Sequence, residues 1–214
     1  MTTPDDKLFP EHLRMPETPV LETERLVLRP LRESDAPVIQ RRFPQWEIVQ
    51  YLNARVPWPY PPDGVQSFYR DVLLPAVQRG DEWAWTLRLK TSTDKIIGAL
   101  SLTRGENDNR GFWLAPEWHN RSLMTEAVIA ANDFWFDVLG FTHLRVPKAV
   151  ANTASRRISE KTGMHVIATE DRDFVGGRLP SEIWEITADE WRTHRARFTS
   201  ADRESWQANK RRLS

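Results

Sequence analysis

The residues best suited to chemistry lie together in mid-chain, in the run Gly111-Phe112-Trp113-Leu114-Ala115-Pro116-Glu117-Trp118-His119-Asn120-Arg121-Ser122-Leu123-Met124-Thr125-Glu126-Ala127. The pattern is a strand, a turn broken by Pro116, and a helix that opens near Leu123. Such a turn aims backbone N–H groups at one point, and the helix N-terminus behind it adds positive potential. The chemistry it suits is anion binding, and a pyrophosphate is the natural ligand. Arg121 could supply charge to a phosphate, and Ser122 adds a hydroxyl donor. Cysteine is absent from the chain. Disulfides, thiolate metal sites and an acyl-cysteine intermediate are therefore excluded.

The elements that must position this turn can be read from periodicity. Residues 1–19, with Pro4, Pro10, Pro16 and Pro19, read as an extended arm. Residues 20–191 read as one domain, and residues 192–214 as a helical tail whose apolar anchors include Phe198 and Trp206. Period-two alternation predicts strands at Leu21–Leu31, Trp83–Leu89, Lys95–Thr103, Gly111–Ala115, Leu144–Ala151, Met164–Thr169 and Ile183–Ile186. Helical spacing predicts Ala36–Phe43, Glu47–Leu52 and Val65–Gln78. It also predicts a helix from Leu123 to Val138 closed by Gly140, and Asn152–Thr162 ending at Gly163. The stretch Val56-Pro57-Trp58-Pro59-Tyr60-Pro61-Pro62-Asp63-Gly64 must be a stiff aromatic loop. The order implies an α/β (α+β) domain: a mixed central sheet of about six to seven strands flanked by helices, with a C-terminal helical extension.

Two stretches carry a more specific signal. Trp113-Leu114, Pro116-Glu117-Trp118 and Met124-Thr125-Glu126-Ala127 resemble the acetyl-CoA motif of the GCN5-related N-acetyltransferase (GNAT) superfamily, in its branch of ribosomal-protein N-terminal acetyltransferases. Asn152-Thr153-Ala154-Ser155-Arg156-Arg157-Ile158-Ser159-Glu160-Lys161-Thr162-Gly163 resembles that family's Asn-x-x-Ser-x-x-x-x-Glu-Lys-x-Gly helix. Leu21 to Arg29 fits the branch's first strand, and the resemblance covers about residues 20–191.

The resemblance implies the GNAT fold and direct transfer of an acetyl group from acetyl-CoA to a primary amine in a ternary complex. The acceptor would be a protein N-terminal α-amino group or a small-molecule amine. Carbonyl and pantetheine contacts fall on Trp113, Leu114 and Ala115, and phosphate contacts on His119, Asn120, Arg121, Ser122, Leu123, Met124 and Thr125. The strand at Leu144–Ala151 should part from Gly111–Ala115, helped by Pro147, so that the pantetheine arm pairs like an extra strand. Asn152 is assigned the pantetheine amide and Ser155 the departing thiolate. Many relatives use a Tyr there, and this helix has none. Relatives often carry Glu on the strand before the phosphate loop; here the position two before Gly111 is Asn109, which cannot act as a base. Glu182 is the preferred base, with Glu47 and Asp108 as alternatives. Acceptor walls are expected from Trp46, Glu47, Trp58 and Tyr60 and from the loop Asp171–Pro180, since aromatic walls with a few acids suit a cationic amine.

One departure from the family pattern matters. His119-Asn120-Arg121-Ser122 stand where Gln-Gly-x-Gly is usual, and glycine allows close approach to a phosphate. The alternative is therefore a catalytically weak acyl-CoA-binding or sensor protein on the same fold. A third reading is transfer from a different acyl-CoA.

Composition bounds the partners. Lys plus Arg and Asp plus Glu number 30 each, so no basic excess points to nucleic acid. No apolar run approaches the roughly 20 residues that span a bilayer, and Met1 to Lys7 is polar and acidic rather than a signal peptide. The expectation is a cytoplasmic monomer or homodimer without a metal.

Overall fold

The computed structural model describes residues 15–197. The first fourteen residues of the arm, and Phe198, Trp206 and Lys210-Arg211-Arg212 of the tail, lie outside the described residues.

Alternation in the first half of the chain produces an antiparallel meander. Strands β1 (Leu21–Glu22), β2 (Leu26–Pro30), β3 (Glu82–Leu89), β4 (Gly98–Thr103) and β5 (Arg110–Leu114) pair in chain order. A second sheet places β8 (Gly177–Thr187) between β6 (His143–Ala149) and β7 (His165–Phe174). The mixed sheet thus exists in two parts. All hydrogen-bonded ladders are antiparallel, while β5 and β6 start side by side, run the same way and then diverge. The segment 171–180, expected as a loop, is instead the end of a long hairpin. Strand pairing continues to Phe174–Gly177, so the turn is only Val175-Gly176.

Period two gives the first sheet two unlike faces. Leu26, Leu28, Trp83, Trp85, Leu87, Leu100 and Leu102 lie on one face and are buried. Helix α5 (Leu123–Asp133), continued by the wide-turn segment Phe134–Val138, covers this face. Gly140 ends it at φ 73°, a left-handed value that suits glycine. On the other face Ala84, Ala99, Ser101 and Gly111 are small. It is roofed by α1 (Ala36–Gln40), α3 (Gly64–Phe68) and α4 (Leu74–Arg79), with the wide-turn segment Tyr69–Leu73 joining the last two, while the short α2 (Trp46–Val49) follows α1 in the chain. Helix α6 (Thr153–Lys161) follows β6, and a last helix, α7, spans 188–197. No helix among the described residues is long and apolar enough to cross a membrane.

Tryptophan does much of the core filling. Trp83, Trp85, Trp135 and Trp191 are fully buried, each removing a large apolar area from water. Each indole N–H finds an acceptor. Trp83 and Trp85 donate to Pro16 O (2.8 Å) and Pro19 O (2.6 Å), which pins the end of the N-terminal arm to β3. Trp135 donates to His143 O at 2.9 Å, and Trp191 donates to Asp133 Oδ1 at 3.0 Å, which docks α7 on α5.

Candidate active site

The divergence of β5 and β6 begins at Asn109, a fully buried residue that staples the two strands. Its N–H donates to Arg145 O at 2.8 Å, and its Oδ1 accepts the Arg145 N–H at 2.7 Å. Its Nδ2 donates to Gly105 O at 2.7 Å. Beyond this point no ladder joins the strands. Ala115 donates to Ile97 O, so backbone groups of odd-numbered residues in β5 point at β4. Those of Phe112 and Leu114 must then point at β6. Arg145 faces β5, so by the same alternation the imide nitrogen of Pro147 does too, and it has no hydrogen to offer. A slot results, edged by main-chain groups without strand partners. Of Trp113, Leu114 and Ala115, only Leu114 turns its backbone into the slot. Phe112 does so as well, and the sequence reading passed over it. Trp113 directs its ring to the other face of the sheet, 5.6 Å from Phe43 between centroids.

At the open end of the slot lies the turn before α5. Asn120 and Ser122 adopt φ 59° and 58°, the left-handed conformation, at the two positions where glycines are usual. The backbone therefore has the glycine shape without glycines. Holding ordinary residues there costs on the order of 1 kcal/mol each, and several contacts impose it. Arg25 donates to Arg121 O at 3.0 Å while its guanidinium pairs with Glu126, which also accepts from Thr23 and the Arg25 N–H. The Arg121 guanidinium lies 4.9 Å over the Trp118 ring. His119 Nε2–H donates to Leu114 O at 2.8 Å, so His119 is a loop brace rather than a base. Leu123 and Met124 are buried and fix the first turn of α5 in the core, leaving its backbone N–H groups, with those of Thr125 and the turn, as anion donors. Ser122→Gly is expected to relieve strain, since the Ser122 side chain makes no cap hydrogen bond. The expected gain of about 1 kcal/mol should raise the unfolding midpoint by roughly 2–4 °C, measured by thermal unfolding.

Helix α6 approaches the slot from the α5 side. Asn152 caps it, its Oδ1 accepting the Ser155 N–H at 3.1 Å. Ser155 Oγ is 2.6 Å from Lys148 Nζ, which sits 5.3 Å from the centre of the Phe112 ring. Lys148 is almost fully buried. Burial, then the Arg110 guanidinium, hold its ammonium well below the usual range, with Asp108 pulling the other way. Arg110, bonded to Asn132 Oδ1 at 2.6 Å, is itself pushed down to about 9 by burial. Glu182, opposite Lys148 in β8, does not reach the roofed face of the first sheet. Both its oxygens bind the Arg156 guanidinium (2.9 and 3.2 Å), and it also accepts from Trp184 Nε1 at 3.1 Å. Its carboxylate is thus held by Arg156 on the α6 side of β8.

On the roofed face a cavity of about 540 Å³ opens beside β5. Its floor is Ala84, Ala99, Ser101 and Gly111, and its walls include Ile39, Phe43, Tyr60, Phe68 and Tyr69. Small side chains on three adjacent strands create the space. Of the four expected wall residues, Tyr60 lines it. Trp46 and Trp58 instead pack on each other at 5.6 Å, each nearly half exposed, and Glu47 is exposed on α2. None of these three is part of the lining. One carboxylate on the floor was not foreseen. Glu82 is pushed up to about 7, first by burial, with a Ser101 hydrogen bond acting in the opposite sense. A signal existed: Trp83, Trp85 and Leu87 form one face of β3, so Glu82 and Ala84 had to share the other. The hairpin tip straps the cavity's outer wall. Val175 N–H donates to Leu52 O and Gly176 N–H to Gln50 O, both at 2.9 Å, and Ala54 N–H to Asp173 O at 3.3 Å.

Comparison with known proteins places these features. Residues 25–165 match the acetyltransferase (GNAT) domain family. The chain is 24% identical over 156 residues to the uncharacterized N-acetyltransferase YoaA of Bacillus subtilis (strain 168), covering 68% of this chain and 82% of that protein. Its fold is similar to that of the ribosomal-protein-S5-alanine acetyltransferase from Vibrio fischeri (TM-score 0.67, 19% identity, 80% of this chain and 98% of that one). Mycobacterium smegmatis RimJ in complex with CoA-disulfide gives TM-score 0.69 at 17% identity, over 81% of this chain and 89% of that one. The spermidine N-acetyltransferase from Vibrio cholerae, in complex with CoA and spermine, gives 0.65 at 18% identity, over 78% and 97%. With the family match spanning residues 25–165, this chain belongs to the GNAT family of acetyl-CoA-dependent N-acetyltransferases.

Proposed function

We propose that the protein transfers an acetyl group from acetyl-CoA to a primary amine held in the cavity on the roofed face of the sheet. The observation that carries this is the slot between β5 and β6. It has a glycine-shaped phosphate turn at one end, and its β5 edge at Phe112 also lines the cavity, whose floor carries one carboxylate. The residues fit an acyl-CoA. Backbone N–H groups of the turn and of Leu123, Met124 and Thr125 suit the phosphates. The edge at Phe112 and Leu114, which no strand pairs and where only the Leu114 carbonyl is taken by His119, suits the pantetheine amides as an added strand would, with Asn152 opposite.

When bound, acetyl-CoA supplies the thioester. The slot-facing N–H groups of Phe112 and Leu114 are the donors available to its carbonyl oxygen. Glu82, near neutrality in its proton affinity, takes the proton that the amine loses as the C–N bond forms. Ser155, hydrogen-bonded by Lys148, hands a proton to the sulfur as the C–S bond breaks, and Lys148 replaces it. Glu82 and Lys148 then exchange protons with water. The sensor alternative rested on the missing glycines, and the positive φ at Asn120 and Ser122 weakens it.

The test is thermal unfolding with acetyl-CoA at about millimolar concentration. A ligand about a hundredfold above its Kd adds roughly 2.7 kcal/mol. A rise of several degrees, together with amine-dependent release of CoA thiol, is the expected result. An unchanged midpoint would remove the acyl-CoA reading.

A further inference from the structure

The cavity also carries information about the acceptor. Its size lies within the roughly 300–1,000 Å³ of small-molecule sites, and most of its lining is aliphatic or aromatic. Acidic lining residues are Glu82 on the floor and Asp63 in the loop, and Arg55 adds a positive charge. A polyamine needs a carboxylate for each ammonium and would meet Arg55. A peptide N-terminus needs main-chain partners for the residues that follow it. Here the 50–54 segment already pairs with the hairpin tip through Val175, Gly176 and Asp173. Tyr60 is also held in place: a side chain at Gly64 would stand 2.6 Å from its ring, so only glycine lets the ring lie there.

From this geometry we propose that the acceptor is a primary monoamine on an aromatic or bulky apolar body, its nitrogen directed to Glu82 and its body against Phe43, Tyr60, Phe68 and Tyr69. Aromatic faces and one carboxylate are the two features such a molecule requires, since rings pack on rings and a cation is drawn both to a ring face and to the acid. The inference rests on the acetyltransferase reading and deepens it.

The experiment measures kcat/KM for phenethylamine, tryptamine, spermidine and an alanyl tetrapeptide, following CoA thiol. Binding of each amine without acetyl-CoA is measured in parallel by calorimetry. The aromatic monoamines should exceed both others at least 100-fold in kcat/KM and be the tighter binders. Phe68→Ala, at a half-exposed position that should tolerate truncation, should raise the aromatic amine's KM about tenfold. The acetyl-CoA-induced thermal shift should stay as in the wild type. A preference for spermidine or the peptide in either assay overturns the acceptor assignment. So does an unchanged KM in Phe68→Ala. Loss of the acetyl-CoA shift in the wild type overturns the acetyltransferase reading instead, and calorimetry then still decides which amine class the cavity takes.

Discussion

Glu82→Gln is expected to lower kcat/KM for the amine by about 10²–10⁴-fold, the range associated with loss of a positioned general base, while the protein stays folded. The wild-type profile should rise with pH through an apparent pKa near 7, where the Glu82 carboxyl becomes a base. In the variant that limb should vanish, leaving the titration of the amine itself as the only rising one. Stability supplies an independent readout. Burial raises the Glu82 pKa above its ordinary 4.5, so between about 4.5 and 7 the folded state binds more protons than the unfolded chain. Wild-type stability should therefore fall as pH rises through that window. The Gln side chain does not ionise, so the variant should lose this decline and match or exceed the wild type at pH 8. If activity and the pH limb both survive the substitution, another group takes the proton.

Lys148→Met is expected to lower kcat by about 10²–10³-fold, a typical contribution of general acid catalysis, with little change in the KM for acetyl-CoA. Ser155→Ala should give a similar loss. The double variant should be scarcely worse than either single one, because residues that act as one relay are not additive. The ammonium must be charged to donate, so wild-type kcat should fall as pH rises through its lowered pKa, and that fall should disappear in Lys148→Met. The stability signature has the opposite sense to that of Glu82. Between the lowered folded pKa and the ordinary 10.5 the unfolded chain binds more protons, so wild-type stability should increase with pH there. Lys148→Met removes a buried cation and should lose that increase without unfolding, since an apolar replacement of similar length is often neutral or stabilising. A full kcat in Lys148→Met, or an acetyl group found on Ser155 by mass spectrometry, would rule out the relay.

Much of the scaffold was legible from pattern alone. Trp83, Trp85 and Leu87 against Glu82, Ala84 and Thr86 predict a strand with two unlike faces, because side chains alternate with period two. The run from Leu123 to Val138, ended by Gly140, predicts α5 because a buried helical stripe has its own period. The turn residues 119–122 and the Asn152–Gly163 helix were legible as motifs. The hairpin over 171–180 was misread as a loop because its strands are mostly exposed and polar, with Phe174 and Leu179 too isolated to mark a hydrophobic alternation.

By itself, then, the sequence determined the order of most elements, the family, and the turn and helix proposed for the acyl-CoA contacts. These depend on neighbours along the chain, where local sterics and periodicity act. The tertiary structure decided the rest. It divided the sheet at Asn109, showed Asn120 and Ser122 in a glycine-like backbone, tied Glu182 to Arg156, and set Glu82 in the cavity floor and Lys148 against Ser155. Each of these depends on strand register or on burial by elements distant in sequence. A carboxyl or an ammonium acquires an unusual proton affinity only when such packing takes it out of water.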